Sequence, residues 1–200
     1  MQGCPALGPG VPTDHDREVD DLTRLALEAG AGDQAALAAL VRRTQAEVWR
    51  LCAYLVDPQA ADDLSQETYL RAVAALRRFR GDSSVRTWLL VIARRTCADE
   101  LRRRVRRRRL DARVEQQART GPTTDADHAS ASAIDDLVAG LEPDRRAAFV
   151  LTQVLGLSYA EAAEVCGCKV GTIRSRVSRA RGELVDLLDA GAVAGEERLA

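Results

Sequence analysis

Aromatic residues make up only 4% of this 200-residue chain: two Trp, three Tyr and two Phe. Proline is scarce too, at six, and runs of β-branched residues are missing. Such a composition disfavours strands and predicts an all-α chain. No apolar run approaches the length of a membrane span, so no membrane partner is expected. The opening MQGCPALGPGVPTDHD lacks a basic region followed by an apolar core, so it does not read as a secretory signal, and a cytoplasmic protein is expected. Histidine is limited to His15 and His128, both in segments predicted to be flexible. The five Cys, at 4, 52, 97, 166 and 168, are odd in number and share no repeated spacing, which excludes a disulfide framework. Cys52 and Cys97 fall on apolar helix positions and read as small core residues. Cys166 and Cys168 have no histidine partners for a zinc site, and neither a metal nor a cofactor is expected. A phosphate-binding Gly loop and a Cys/His nucleophile pair are also missing, which argues against an enzyme.

Charge of one sign is not in excess: Lys and Arg number 29 against 30 Asp and Glu. That balance alone would argue against a nucleic-acid partner, but it hides segregation. Residues 94–109 hold nine Arg against two acids, while residues 14–21 hold five acids and one Arg. Such asymmetry suggests separate surfaces for separate partners.

The most informative stretch is LEPDRRAAFVLTQVLGLSYAEAAEVCGCKVGTIRSRVSRARGEL, residues 141–184. Pro143 suits the start of a helix and Gly156 its end. Ser158 and Glu161 have capping-box spacing for a second, short helix, and Gly167 sits where that helix must stop. A third helix follows from about Val170. This is the pattern of a helix-turn-helix, whose second helix enters the DNA major groove. At roughly 100° per residue, Val170, Ile173, Val177, Ala180 and Leu184 form one apolar stripe. Gly171, Ser175, Ser178 and Arg179 lie opposite, with Thr172, Arg174, Arg176 and Arg181 on the flanks. From Lys169 to Arg181 there are five basic residues and no acid. A solvated basic face would also show such charges; the capped helix, the Gly turn and the acid-free face together favour DNA.

Upstream, Val19, Leu22, Leu25 or Ala26, and Ala29 give a first apolar stripe ended by Gly30 and Gly32. Asp33 can cap a second helix that turns Leu37, Leu40, Val41, Val48, Leu51, Cys52 and Leu55 inward. After Asp57-Pro58, residues 59–79 form a third helix packing Ala61, Leu64, Thr68, Ala72, Ala75, Leu76 and Phe79. Asp62, Asp63, Gln66, Glu67 and Arg71 remain as a polar surface. Helix-dipole stabilisation accounts for Asp62 and Asp63 but not for the others. A break at 80–84 precedes a long helix from Val85, buried through Trp88, Leu89, Ile92, Ala93, Thr96, Cys97 and Leu101. It ends in LRRRVRRRRL, with seven Arg between 102 and 109. That exceeds what a helix C-terminus needs and suits a phosphate backbone, though a solvated tail fits Arg106 to Arg109 equally well. The expected layout is a flexible tail over 1–17, a helical domain over 18–109, a flexible linker over 110–133, a helix-turn-helix domain over 134–189 and a frayed tail over 190–200.

The motifs DDLSQETYLRA, FRGDSSVRTWLLVIARRTCADELRRR and the 141–184 stretch, in this order, resemble the extracytoplasmic-function (group IV) sigma factors of bacterial RNA polymerase, and among them the actinobacterial sigma-C type. The likeness covers most of residues 20–188. It implies two small helical domains on a flexible linker that bind core RNA polymerase and direct initiation at specific promoters. Asp62, Asp63, Gln66, Glu67 and Arg71 would dock on the β′ clamp helices, and the β flap is a further implied contact. Gly81, Asp82, Ser83, Ser84, Arg86, Arg94, Arg95, Asp99 and Arg102 would recognise and melt the −10 element. Trp88 also stands there, but indoles commonly pack inside, and a core position is favoured. Lys169, Thr172, Arg174, Ser175, Ser178 and Arg179 would read the −35 element. Family members often have an anti-sigma partner, though nothing in these residues identifies one. A free-standing helix-turn-helix regulator would explain 141–184 but leave DDLSQETYLRA unexplained.

Overall fold

The computed structural model describes the backbone of residues 14–118 and 133–196, and the side chains of 21–111 and 136–189. Residues 1–13 of the predicted N-terminal tail and 119–132 of the predicted linker lie outside the described residues. Every regular element within them is helical.

The first four helices are α1 (Asp14–Gly30), α2 (Gln34–Leu55), α3 (Pro58–Leu76) and α4 (Val85–Ala118). Asp33 caps α2 by accepting from the amides of Ala35 and Ala36 at 2.8 and 3.0 Å. Asp57 caps α3 by accepting from Ala60 N at 2.7 Å, with Pro58 in the first turn. These side chains satisfy amides that the first turn leaves without partners. Gly30 ends α1 against the end of α3, where a Cβ would lie 2.9 Å from the Leu76 carbonyl oxygen. Only glycine permits that approach without moving the backbone.

The second module holds α5 (Ala133–Gly140), α6 (Pro143–Phe149), α7 (Tyr159–Cys166) and α8 (Val170–Glu196). A π-helical turn, Val150–Val154, separates α6 from the turn at Gly156. One uninterrupted helix is expected there from the sequence. Val150 and Leu151, adjacent in this wider turn, both lie at 0% exposure. The capping box forms: Ser158 N donates to Glu161 Oε2 at 2.8 Å and Glu161 N donates to Ser158 Oγ at 3.2 Å. Gly167 adopts the left-handed conformation (φ 64°) and stops α7.

Several helix ends differ from expectation: α1 begins at Asp14, inside the predicted tail, and α3 stops at Leu76, short of Phe79. α4 continues to Ala118, into the predicted linker, and α8 continues to Glu196, into the predicted tail. Loss of apolar periodicity does not end α4, because residues 111–118 are mostly Ala, Arg, Glu and Gln, all good helix formers; α8 runs on through Gly191 and Gly195 despite their low helix propensity. The first strong breakers after α4 are Gly121 and Pro122.

The modules are not held apart. α2 packs against α5, α6 and the π turn, and α4 packs against α7 as well as α2 and α3. Their buried side chains form one cluster that runs from Val48, Leu51 and Leu90 to Leu151, Ile173 and Val177. A smaller cluster of Leu22, Ala26, Leu40, Leu76 and Val85 lies under α1. Cys52 and Cys97 are buried and face each other. The neighbouring Cys52 sulfur, with burial, pushes the Cys97 thiol up, so it stays protonated.

Tyr69 bridges α3 to α2 through a 2.8 Å hydrogen bond between its hydroxyl and Thr44 Oγ1. Burial pushes its pKa from 10.0 to about 12. Because the folded-state value lies above the unfolded one, this contribution is full below pH 10 and is lost as pH rises toward 12. Denaturant titrations should show Tyr69→Phe less stable by about 1 kcal/mol at neutral pH and without that alkaline component.

Candidate nucleic-acid and polymerase interfaces

α8 turns the expected stripe inward: Ile173, Val177 and Ala180 are buried. Val170 departs from it and is 37% exposed at the helix start. Lys169, Arg174, Ser175, Ser178 and Arg179 are exposed, and Thr172 is half-buried. The Ser175 hydroxyl donates to the Thr172 carbonyl at 2.9 Å, holding that side chain along the helix. A Cβ at Gly171 would meet nothing within 4 Å, so the first turn is open to a close partner. Two of the five cations are engaged internally. Arg176 pairs with Asp144 and reaches Cys168 Sγ at 3.8 Å. Arg181 donates to Gln153 Oε1 at 2.7 Å. The face left for a nucleic acid is Lys169, Arg174 and Arg179 with the two serines.

On α3, Asp62, Asp63 and Gln66 are exposed, while Glu67 and Arg71 are half-buried. Trp49 on α2 donates from Nε1 to Asp62 at 2.8 Å. Arg71 donates to Glu67 at 2.7 Å and to Asp99 of α4 at 2.7 Å. Arg71 and then Arg102 hold the Asp99 carboxyl below its usual range. Arg71 and Asp99, assigned to different partners from the sequence, are therefore one bridge. Leu70 and Val73 stand 63% and 45% exposed on the same helix. They were outside the predicted packing stripe, and that omission was the signal that could have added them to the candidate surface.

In the break before α4, Gly81 and Asp82 are exposed and Ser83 and Ser84 half-buried. Ser84 Oγ donates to Thr87 Oγ1 and accepts from Thr87 N, at 2.9 and 3.1 Å, fixing the start of α4. Trp88 packs between the two clusters with its ring 5.1 Å from that of Phe79. Arg95 and Arg102 are exposed. Arg86 and Arg94 are not available in the same way. Arg86 is 14% exposed; it pairs with Glu47 of α2 and donates to the Leu155 carbonyl of the second module at 2.6 Å. Arg94 lies 3.6 Å from Asp144 of α6. Asp144 thus sits between Arg94 of the first module and Arg176 of the second. Sequence periodicity gave no sign of it, because an acid in the first turn of a helix is ordinary.

The residues accordingly make three surfaces: a basic face on α8, an acid-rich face on α3, and a loop-to-α4 face part of which the second module covers. The family comparisons decide what this combination is. Residues 40–107 match the Sigma-70 region 2 family and residues 131–184 match Sigma-70, region 4. The chain is 52% identical over 170 residues to the ECF RNA polymerase sigma factor SigC of Mycobacterium tuberculosis, spanning 82% of this chain and 89% of that relative. This chain belongs to the extracytoplasmic-function group of the sigma-70 family. It is a sigma factor, and it directs RNA polymerase to initiate transcription at specific promoters. The region 2 match lies within the first module, and the region 4 match covers most of the second. Among solved structures, CnrH in complex with the cytosolic domain of CnrY is similar with a TM-score of 0.66 at 29% identity, covering 86% of this chain and 99% of that one. The sigma factor RpoE in complex with the anti-sigma factor NepR from Bartonella quintana gives a TM-score of 0.60 at 29% identity, covering 74% and 94%. None of the described helices is long and apolar enough to cross a membrane.

Arg86→Ala would leave the half-buried Glu47 carboxylate without its partner and remove the link to Leu155. A loss of about 3 kcal/mol in equilibrium unfolding is expected, with faster amide exchange in α5 and α6 than the same loss of stability produces elsewhere.

Proposed function

We propose that region 2 grips core RNA polymerase through α3 and opens the −10 element with the 81–84 loop and α4, while α8 reads the −35 element. The observation that carries this reading is the separation of charge between two folded modules. An acid-bearing helix with exposed Leu70 and Val73 suits a protein partner. An acid-free helix face at a helix-turn-helix suits a major groove. Asp62, Asp63, Gln66, Glu67 and Arg71 serve the polymerase. Gly81 to Ser84, Arg86, Arg94, Arg95, Asp99 and Arg102 serve the −10 element. Lys169, Thr172, Arg174, Ser175, Ser178 and Arg179 serve the −35 element. Because Arg86 and Arg94 lie under region 4 here, they reach DNA only after the modules part. Polymerase can hold them apart, so that the two weak DNA contacts act together through their effective concentration. The protein works in the cytoplasm, without catalysis of its own, and an anti-sigma factor is a fitting partner given the complexes in which its structural relatives were solved.

In vitro transcription with core polymerase and defined promoters tests this reading. Arg179→Ala should reduce discrimination against altered −35 sequences by about 1–3 kcal/mol; unchanged discrimination would remove α8 from the role. Glu67→Ala should weaken binding to core polymerase while leaving DNA sequence preference intact, as measured by competition with a labelled sigma factor.

A further inference from the structure

Cys166 and Cys168 flank the glycine that stops α7, and none of the three surfaces uses them. Cys166 is the last residue of α7, and Cys168 stands two residues before α8 begins. Both are half-buried, so part of each reaches solvent, whereas Cys52 and Cys97 are sealed at 0% and 1% exposure. The pair also lies among cations. Arg176 donates to Cys168 Sγ at 3.8 Å and pairs with Asp144. Arg94 approaches the same carboxylate from the first module. Burial pushes the Cys166 thiol up, while Arg94 and Arg176 pull it down against Cys168 and Asp144. Two sulfurs side by side suit either a soft metal ion or oxidation. Guanidiniums beside the sulfurs repel a metal cation, and no group of three metal-ligating side chains occurs among the described residues. The same guanidiniums favour the negative charge that develops on sulfur when a thiolate forms and attacks. The surroundings therefore select oxidation.

We infer that Cys166 and Cys168 form a dithiol site for hydroperoxides, and that closing their disulfide displaces the start of α8. Cys168 is the attacking thiol, because a guanidinium donates to its sulfur; Cys166 is the resolving one. In the first step the Cys168 sulfur attacks a peroxide oxygen and the O–O bond breaks. With hydrogen peroxide the departing oxygen leaves as water, taking the thiol proton, and Cys168 becomes a sulfenic acid. In the second step the Cys166 sulfur attacks the Cys168 sulfur and the S–O bond breaks. The hydroxyl leaves as water with the Cys166 proton. Two thiols lose two electrons, and one peroxide gains them. The turn between the sulfurs has room to refold: Gly167 takes φ 64°, and a Cβ there would meet nothing within 4 Å. Closure acts on the reading helix because the two are continuous. Cys168 N donates to the Ala163 carbonyl at 3.0 Å, and the next carbonyl, that of Lys169, accepts from Thr172 N and Ile173 N as α8 begins. Disulfide geometry is narrow, so drawing Cys168 toward Cys166 moves this turn and carries Lys169 and Thr172 with it. The consequence for DNA rests on the reading of α8 as the −35 helix; the oxidation itself does not.

In the experiment the full chain is treated with hydrogen peroxide and divided. One part is alkylated and cut with trypsin. Residues 147–169 form a single fragment that holds both cysteines and no other, so their disulfide shows as the loss of two hydrogens from it. The other part is assayed with core RNA polymerase on promoters with matched and altered −35 sequences. The fragment should lose two hydrogens, and −35 discrimination should fall about tenfold, as for one lost base contact. Dithiothreitol should reverse both. C168S should show neither change and should keep wild-type discrimination before and after peroxide. C166S should stop at the sulfenic acid, captured by a 1,3-diketone. A fragment that stays reduced, or gains oxygen without closing, overturns the dithiol. Closure with unchanged −35 discrimination, or an equal fall in C168S, overturns the link to α8. Failure of the −35 reading is separate and recognisable: reduced wild type would then show no −35 discrimination to lose, whatever the mass of the fragment.

Discussion

The guanidinium of Arg86 is the point at which three parts of this chain meet: Glu47 of α2, the start of α4, and the Leu155 carbonyl that follows the π turn. Its position depends on Ser84, which caps α4 and sets the helix's first turn. Around it, the apolar side chains of both modules close into one cluster. Region 4 therefore sits on region 2 by burial as well as by charge. The burial is non-directional and scales with area, whereas the guanidinium bonds demand one orientation. Together they give a defined docked arrangement rather than loose association through a tether.

Docking explains why the candidate residues separate into two classes. Asp62, Asp63 and Gln66 on α3 and the outer face of α8 are already open. Those on the early turns of α4 are shared, since Arg86 and Arg94 serve the contact between modules in this arrangement. The same chemistry suits both uses: a guanidinium that donates to a carboxylate or carbonyl inside the protein also donates to phosphate. Exchange of one partner for the other is a competition between like interactions, tuned by salt and by whatever holds the modules apart.

Much of the fold was legible in the sequence because helix signals are local. Asp33, Ser158 with Glu161, and Gly167 act within a few residues of themselves, and each appears in the structure in its expected role, while Asp57, read only as a break, also caps α3. The buried stripe of α8 was equally legible, apart from Val170, because periodicity reports which side is inward. What was not legible depends on tertiary contact. Nothing near Asp144 in the chain reveals that Arg94 approaches from another module, and nothing near Arg86 reveals the Leu155 carbonyl. The long α4 was missed in part for a different reason: the criterion was apolar periodicity, and a helix beyond its core has none. Exposed Leu70 and Val73 lay in plain view but were unassigned, because a sequence shows which residues fail to pack without showing what they face.

Asp144 has a consequence for how the reading helix presents itself. Its carboxylate pairs with Arg176 within region 4 and lies farther from Arg94, at 3.6 Å. If region 4 swings away as a unit, the acid travels with the reading helix and leaves Arg94 behind. Region 2 then gains a bare cation at the surface proposed for the −10 element, while α8 carries one cation that is already neutralised. If α8 reads the −35 element as proposed, that contact is thus carried by fewer charges than the five in its sequence, and ion release there should be counted from Lys169, Arg174 and Arg179, since Arg176 is held by Asp144 and Arg181 by Gln153.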